Sequence, residues 1–525
     1  MNYEDIYERL LLLYENPINL NTASTEALQG LFILSPAQIS SLQEYILKNG
    51  KLLTNFELQY VEGFDLNTIN KMLPFVTIDA RDAIEDARPL LKRILTERNN
   101  YFIMRYERSL EAKRGYQLPE AEMDPRYVGS PDKVYWRYRV SKPRDFSIGL
   151  TAEKDAGEAL TWDSDTKRFG ADFWSAHIML ERKGKWRKII LGDYQLQFGQ
   201  GLLFGSGLSV GKGSETVNSL QKANLGIRPY TSVVEGGFLR GGAATYNLSG
   251  TISTTGFISR LKQDANIRNG KNDDFETYFS SIQLSGLHRT PNEIAKKHQV
   301  SETVYGFNLD YSPNDFKRAG IIATTNTFST LILKSDHAYN QFEFSGTQNY
   351  NLSLYGNFRW QQFYFFGESA ISKSGGKGSI IGLRASLSNR VDFAMILRDY
   401  QRDFHSMRGA AFAESSRNIN EAGIYWGVKY QLNNQFHLSA YYDSFRFPWL
   451  RFRVNTPSAG NDYLIRLNYA PKRGVSTYFQ YRRKNKEANF VSEEANQTFV
   501  LPGQKNQYLI NIEFKVGDEL FFRSR

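Results

Sequence analysis

Val134-Tyr-Trp-Arg-Tyr-Arg-Val140 and Phe146-Ser-Ile-Gly-Leu-Thr-Ala-Glu153 both change character at every second residue. In the first, Val134, Trp136, Tyr138 and Val140 share one side, and Tyr135, Arg137 and Arg139 share the other. In the second, Phe146, Ile148, Leu150 and Ala152 oppose Ser147, Gly149, Thr151 and Glu153. A period of two is that of a strand with one apolar and one polar face.

The same pattern recurs to the end of the chain. It returns in Leu352/Leu354/Phe358/Trp360, in Ile381/Leu383/Ala385/Leu387 against Arg384, in Ile424/Trp426/Val428/Tyr430 and in Phe436/Leu438/Ala440/Tyr442. Tyr463/Ile465/Leu467/Tyr469 and Tyr508/Ile510/Ile512/Phe514 repeat it again. Polar, Gly- and Asn-rich stretches such as Asn269-Gly-Lys-Asn-Asp-Asp274 and Ser372-Lys-Ser-Gly-Gly-Lys-Gly378 separate the runs. Secreted sandwiches and solenoids alternate too, but around Val, Ile and Leu. Here Tyr, Phe and Trp crowd the strand ends, Gly sits within strands, and charge occupies the other face. That describes a large antiparallel transmembrane β-barrel over residues 101–525, of roughly 14–18 strands.

Upstream the period is helical. The chain carries +10 overall, but residues 1–95 hold eight basic against thirteen acidic side chains, an acidic head on a basic body. Residues 1–15 read as a leading amphipathic helix, 16–78 as a helical module and 79–100 as a mixed-charge connection. In the module, Ser35, Pro36 and Gln38 form a capping signal, Gly50 ends that helix, Thr54 and Glu57 make a second capping box, and Asp65 caps a last helix. Leu28, Leu31, Ile39, Leu42, Ile46, Leu53, Phe56, Leu58, Val61, Phe64, Ile69 and Leu73 are its expected core. The expected fold class is therefore α + β: an all-α head of two helix-turn-helix units, then the barrel.

Leu20-Asn-Thr-Ala-Ser24, Asn49-Gly-Lys51 and Phe56-Glu-Leu58 resemble the tandem helix-hairpin-helix module of competence-type DNA receptors. The resemblance implies DNA-phosphate contact through hairpin backbone amides, which places backbone or partner contact at Ser35, Lys48, Lys51, Gly63 and Lys71. Composition opposes it. Between Asn16 and Ala80 stand three Lys, no Arg and six acids, whereas phosphate affinity comes from basic side chains. Asp193-Tyr-Gln-Leu-Gln-Phe-Gly-Gln-Gly201, Gly226-Ile-Arg-Pro-Tyr-Thr-Ser232, Phe238-Leu-Arg-Gly241 and Ala413-Glu-Ser-Ser-Arg417 resemble a group of Gram-negative outer-membrane proteins. These pair a periplasmic helix-hairpin-helix head with a barrel. The resemblance implies location: barrel in the outer membrane, head in the periplasm.

Chemistry is sparse. Cysteine is absent, which removes disulfides and thiolate metal sites. The six histidines are scattered without metal-ligand spacing, and no Ser sits in a nucleophile elbow. The run Gly199 to Gly213 fails as a phosphate loop, because Ser206 falls where its first glycine belongs and Gly213 where Ser or Thr should bind magnesium; it reads as a glycine-rich strand and turn folding into the lumen. Arg137, Arg139, Arg384 and Arg398 are expected to line the lumen, either as an anion-favouring ring or as part of Arg–carboxylate ladders that fill it.

No run of about eighteen apolar residues offers a membrane helix, and Met1-Asn-Tyr-Glu-Asp-Ile-Tyr-Glu8 shows no signal peptide. The sequence stops at Asp518-Glu-Leu-Phe-Phe-Arg-Ser-Arg525 inside a strand pattern, so either the chain is cut short there or its closing strand is atypical. The expected function is non-enzymatic, without cofactor or metal. The head would dock a periplasmic or outer-membrane protein partner or plug the lumen, and the barrel would serve as pore or platform in the lipid bilayer. DNA binding or uptake is the alternative, and an outer-membrane enzyme the weaker one.

Overall fold

A computed structural model describes residues 10–11, 13–15, 17–31, 33–34, 36–78, 88–117, 126–163, 168–205, 211–269, 277–314, 316–433, 435–471, 475–492, 497–516 and 520–524. One sheet joins 21 strands into a closed barrel. Almost all neighbours are antiparallel and consecutive in sequence. Phe363–Ser372 pairs with Lys377–Ser388, which pairs with Val391–Tyr400, which pairs with Glu421–Gln431. The alternation read from sequence is realised as two faces. Ile381, Leu397, Trp426, Tyr442, Ile465 and Ile510 project outward, roughly half exposed, while Ile380, Ile396, Tyr425 and Tyr441 between them are buried inside.

The two ends of the barrel differ. At one end the strands are joined tightly: Gln361 takes φ 52°, letting Gln361 and Gln362 alone turn Gly346–Trp360 into Phe363–Ser372. At the other, long connections occupy 198–205 and 211–238, 284–299 and 401–420 among the described residues. The first and last of these fold back into the barrel.

The head sits at the tight-turn end and corrects the expected fold class. Strands take 56% of the chain and helices only 12%, so no all-α tandem helix-hairpin-helix domain is present. The head has one substantial helix, Pro36–Asn49, flanked by Thr25–Gln29 and Leu66–Met72 and by 3-10 turns at Asn55–Tyr60 and Leu73–Phe75. Ile18–Asn19 pairs in parallel with Val76–Thr77 and ties its two ends together. Several local signals hold: Gly50 takes φ 88° after the helix, and Asp65 Oδ1 accepts from Thr68 N at 2.8 Å. The second unit fails because the Thr54–Glu57 capping box opens a 3-10 turn, whose tighter winding shifts the buried face. Leu52, Leu58 and Val61 are buried, whereas Leu53 and Phe56, both expected in the core, are 81% and 77% exposed. The leading segment falls largely outside the described residues, as does 79–87 of the connection; Leu90–Thr96 is helical.

The head is tied to the barrel rim by a few polar contacts. Arg93, in the helix that follows the head, pairs with Asp145 of the rim, and the rim's Arg144 donates to the Thr22 hydroxyl. Arg359 reaches Glu44 at 3.5 Å.

Candidate functional site: the filled barrel interior

The glycine-rich stretch starting at Gly199 enters the barrel. Gly199, Gly201 and Gly211 have φ of 57°, 85° and 64°, a left-handed region that favours glycine. The tight path lets the backbone meet the wall: Gln200 N and Leu202 N donate to the buried Glu368 carboxylate at 2.7 and 3.0 Å. Further along, Thr216 Oγ1 donates to Val428 O at 2.8 Å, and Tyr425 OH to Thr216 O at 3.1 Å. A Cβ on Gly427 would lie 2.0 Å from that Thr216 carbonyl, so only glycine fits there. Leu202, Leu203, Phe204, Val217 and Leu220 pack into the apolar part of the wall, among Tyr355, Phe366, Ile380 and Tyr400. The connection 401–420 lies against this loop: Ala410 N donates to Gly201 O at 2.9 Å, and Ser406 Oγ to Leu202 O at 2.6 Å.

Charge fastens both connections to the wall. Glu414 receives Lys212 at 2.6 Å, Lys484 at 2.5 Å and Lys486 at 3.1 Å, with its side chain 3% exposed. Burial alone would raise the Glu414 carboxyl, but Lys212 foremost, with Lys484 and Lys486, holds it down to about 2. Lys212 also pairs with Asp443, and Arg398 bridges Asp443 at 2.8 Å and Glu421 at 2.7 Å. Glu421 in turn accepts the backbone N–H groups of Glu414 and Ser415 at 2.7 and 2.8 Å. Loop to loop and loop to wall, every link is a charge-assisted hydrogen bond in a buried site.

All four arginines expected at the lumen face inward and are buried. They do not form one ring. Arg398 belongs to the ladder just described. Arg137 donates to Thr231 O, and Arg139 to Ser147 Oγ at 3.3 Å while lying 3.6 Å from Glu15. Arg384 reaches Asn218 O at 3.4 Å beside the Tyr364 ring. The head residues scatter as well. Lys48 and Lys51 are exposed, Gly63 O accepts from Gln38 at 2.8 Å, and Ser35 lies outside the described residues. Gly63 and Lys71 line a cavity of about 1940 Å³ between the head and the barrel mouth, shared with Glu44, Asp65, Arg359 and Lys429.

Two groupings were not legible from spacing. Ser147 Oγ and His177 Nε2 meet at 3.0 Å, fully buried on neighbouring strands, where Gly149 leaves room for the imidazole. At the long-loop end, Glu158, Asp172 and His288 bring potential ligand atoms within 4.8 Å of one another. Those atoms already satisfy each other. His288 donates from Nδ1 to Asp172 at 2.5 Å and from Nε2 to Asp264 at 2.7 Å, while Glu158 accepts from the backbone of His288 and Asp155. Burial opposes the charge on His288, but its hydrogen bonds to Asp172 and Asp264 lift it to about 10. The group is an imidazolium strung between two carboxylates, joining two connections to the strand Ile252–Asn269.

No protein-family model matches this chain, and no curated protein matches it. Among solved structures it is similar to Pseudomonas aeruginosa OpdQ, at 10% identity and a TM-score of 0.36, covering 78% of this chain and 94% of that one. It is similar also to OccK3 (OpdO) of the same organism, at 9% identity and 0.35, covering 78% and 92%. Acinetobacter baumannii OccAB2 stands at 9% and 0.34, covering 75% and 92%.

Proposed function

We propose that this chain is a non-enzymatic outer-membrane channel, held shut by its own inner connections at one end and by its head at the other. The observation that carries this reading is the inversion of faces. Apolar and aromatic side chains such as Leu352, Leu354, Trp360, Ile381 and Tyr508 stand exposed around the outside of a closed barrel. Buried charges such as Arg398, Asp443, Asp462 and Glu421 stand inside. An exposed apolar belt of this extent is stable only against lipid.

The head lies at the tight-turn end, which in this reading faces the periplasm. Solute would enter through the long-loop end only when the connections 198–238 and 401–420 withdraw from the wall. The cavity beneath them then becomes the vestibule behind the gate.

Purified protein inserted into planar bilayers tests both halves. Expected is stable insertion with rare, brief openings, which lengthen when the inner connections are released. A protein that stays monodisperse in buffer without detergent would overturn the membrane reading.

A further inference from the structure

We propose that the outward-facing cluster Arg240, Arg260 and Lys262 binds the phosphorylated headgroup of a lipid in the leaflet away from the head. The inference rests on the membrane reading above and adds a ligand to it. Ile252–Asn269 runs toward the long-loop end with Ser259, Leu261 and Gln263 buried and Arg260 and Lys262 exposed between them. Gly242 pairs with Ile258, and Gly241 with Ser259, so Arg240 stands beside Arg260 on the outer face.

The height of the cluster is that of an interface. Immediately below it Ile258 pairs with Tyr305, and both are exposed, as is Trp174 nearby. These mark the upper edge of the apolar belt, where aromatics meet headgroups. Across the ladder Arg260 faces Thr303 and Lys262 faces Ser301, two hydroxyls able to donate to phosphate oxygens.

Charge selects the ligand. Arg240 is held by Asp193, with Nε and Nη2 at 2.7 and 2.8 Å from the two carboxylate oxygens, which fixes one guanidinium in place. Arg260 and Lys262 have no hydrogen-bond or ion-pair partner among the described residues. The acid next in line on that face, Asp264, is taken by His288 at 2.7 Å, and Glu302 points inward to Arg408 at 2.6 Å. Three cations against Asp193, with Asp264 already paired to His288, leave a net positive shelf at the edge of the belt that a phosphate monoester would neutralise.

The test uses the full chain in vesicles of zwitterionic lipid doped with a bis-phosphorylated saccharolipid, with its dephosphorylated form, or with neither plus inorganic phosphate. Lipid retained by the protein is counted by native mass spectrometry after gentle extraction. Expected is preferential retention of the bis-phosphorylated lipid, reduced roughly thirtyfold in Arg260→Gln/Lys262→Gln, each cation near an anionic surface being worth about fivefold. Arg260→Lys should retain most of it. Equal retention by the double variant, equal retention of the dephosphorylated form, or displacement by inorganic phosphate alone would each overturn the proposal. Failure of the unsubstituted chain to insert would instead strike the membrane reading.

Discussion

Replacing Glu414 by Gln should open the barrel. Glu414 binds a lysine of the first inner connection, Lys212, and two lysines of the wall, Lys484 and Lys486. A carboxyl held at about 2 against an ordinary 4.5 contributes about 3 kcal/mol to the closed arrangement. Because its pKa is lowered on closing, that stabilisation is fully present above pH 4.5 and is lost as pH falls toward about 2. Glutamine removes it at every pH and leaves the Lys212 ammonium, 7% exposed, and the half-buried Lys484 and Lys486 without their shared carboxylate. A latch weakened by about 3 kcal/mol raises the population of the released form about a hundredfold. Single-channel recording at neutral pH reads this as a large gain in open time, and limited proteolysis within 401–420 reads it independently. Unchanged open time together with unchanged cleavage would refute the latch. Substituting Lys212 by Met in the Glu414→Gln background should add less than it does alone, since the two side chains share one interaction.

Three further outcomes follow from the same geometry. Arg398→Met removes the guanidinium shared by Glu421 and Asp443, both fully buried, and should cost about 3–5 kcal/mol, seen as a lower unfolding midpoint in detergent. Gly427→Ala places a Cβ against Thr216 O, and should cost about 1–3 kcal/mol and loosen the inner loop without preventing insertion, as read by proteolysis near Thr216. His288, raised from 6.5 to about 10, stabilises the long-loop end fully below pH 6.5, and that contribution is lost as pH rises through about 10. Hydrogen exchange of 284–299 should therefore quicken between those limits, and His288→Asn should flatten the dependence.

How much of this was legible beforehand depended on how local each determinant is. The barrel was, because alternation is a property of neighbouring residues: Ile381 and Arg384 declare opposite faces whatever surrounds them. The inward aim of Arg137, Arg139, Arg384 and Arg398 came with it. What each arginine meets did not, since Glu421, Asp443, Thr231 and Asn218 arrive from distant connections. The helical head misled for a similar reason. Its caps are local and most of them formed, but capping does not distinguish an α-helix from a 3-10 turn, and Leu53 and Phe56 ended on the outside. Ser147 with His177, and His288 with Asp172, are adjacent only after strands pair and long connections fold over.

The grip of Glu368 on Gln200 and Leu202 bears on how the molecule is made. The two sides of that contact are 168 and 166 residues apart, and Thr216 with Val428 are 212 apart. The inner connection emerges in the first half of synthesis, yet Glu368, Val428 and Glu414, which hold its glycine-rich part and Thr216 and Lys212, come later. It must wait, without those anchors, inside a sheet that is still curling, and can settle only as the last strands close around it. Contacts of such span are slow to form, so channel closure should be a late event of assembly, separable in time from insertion of the barrel itself.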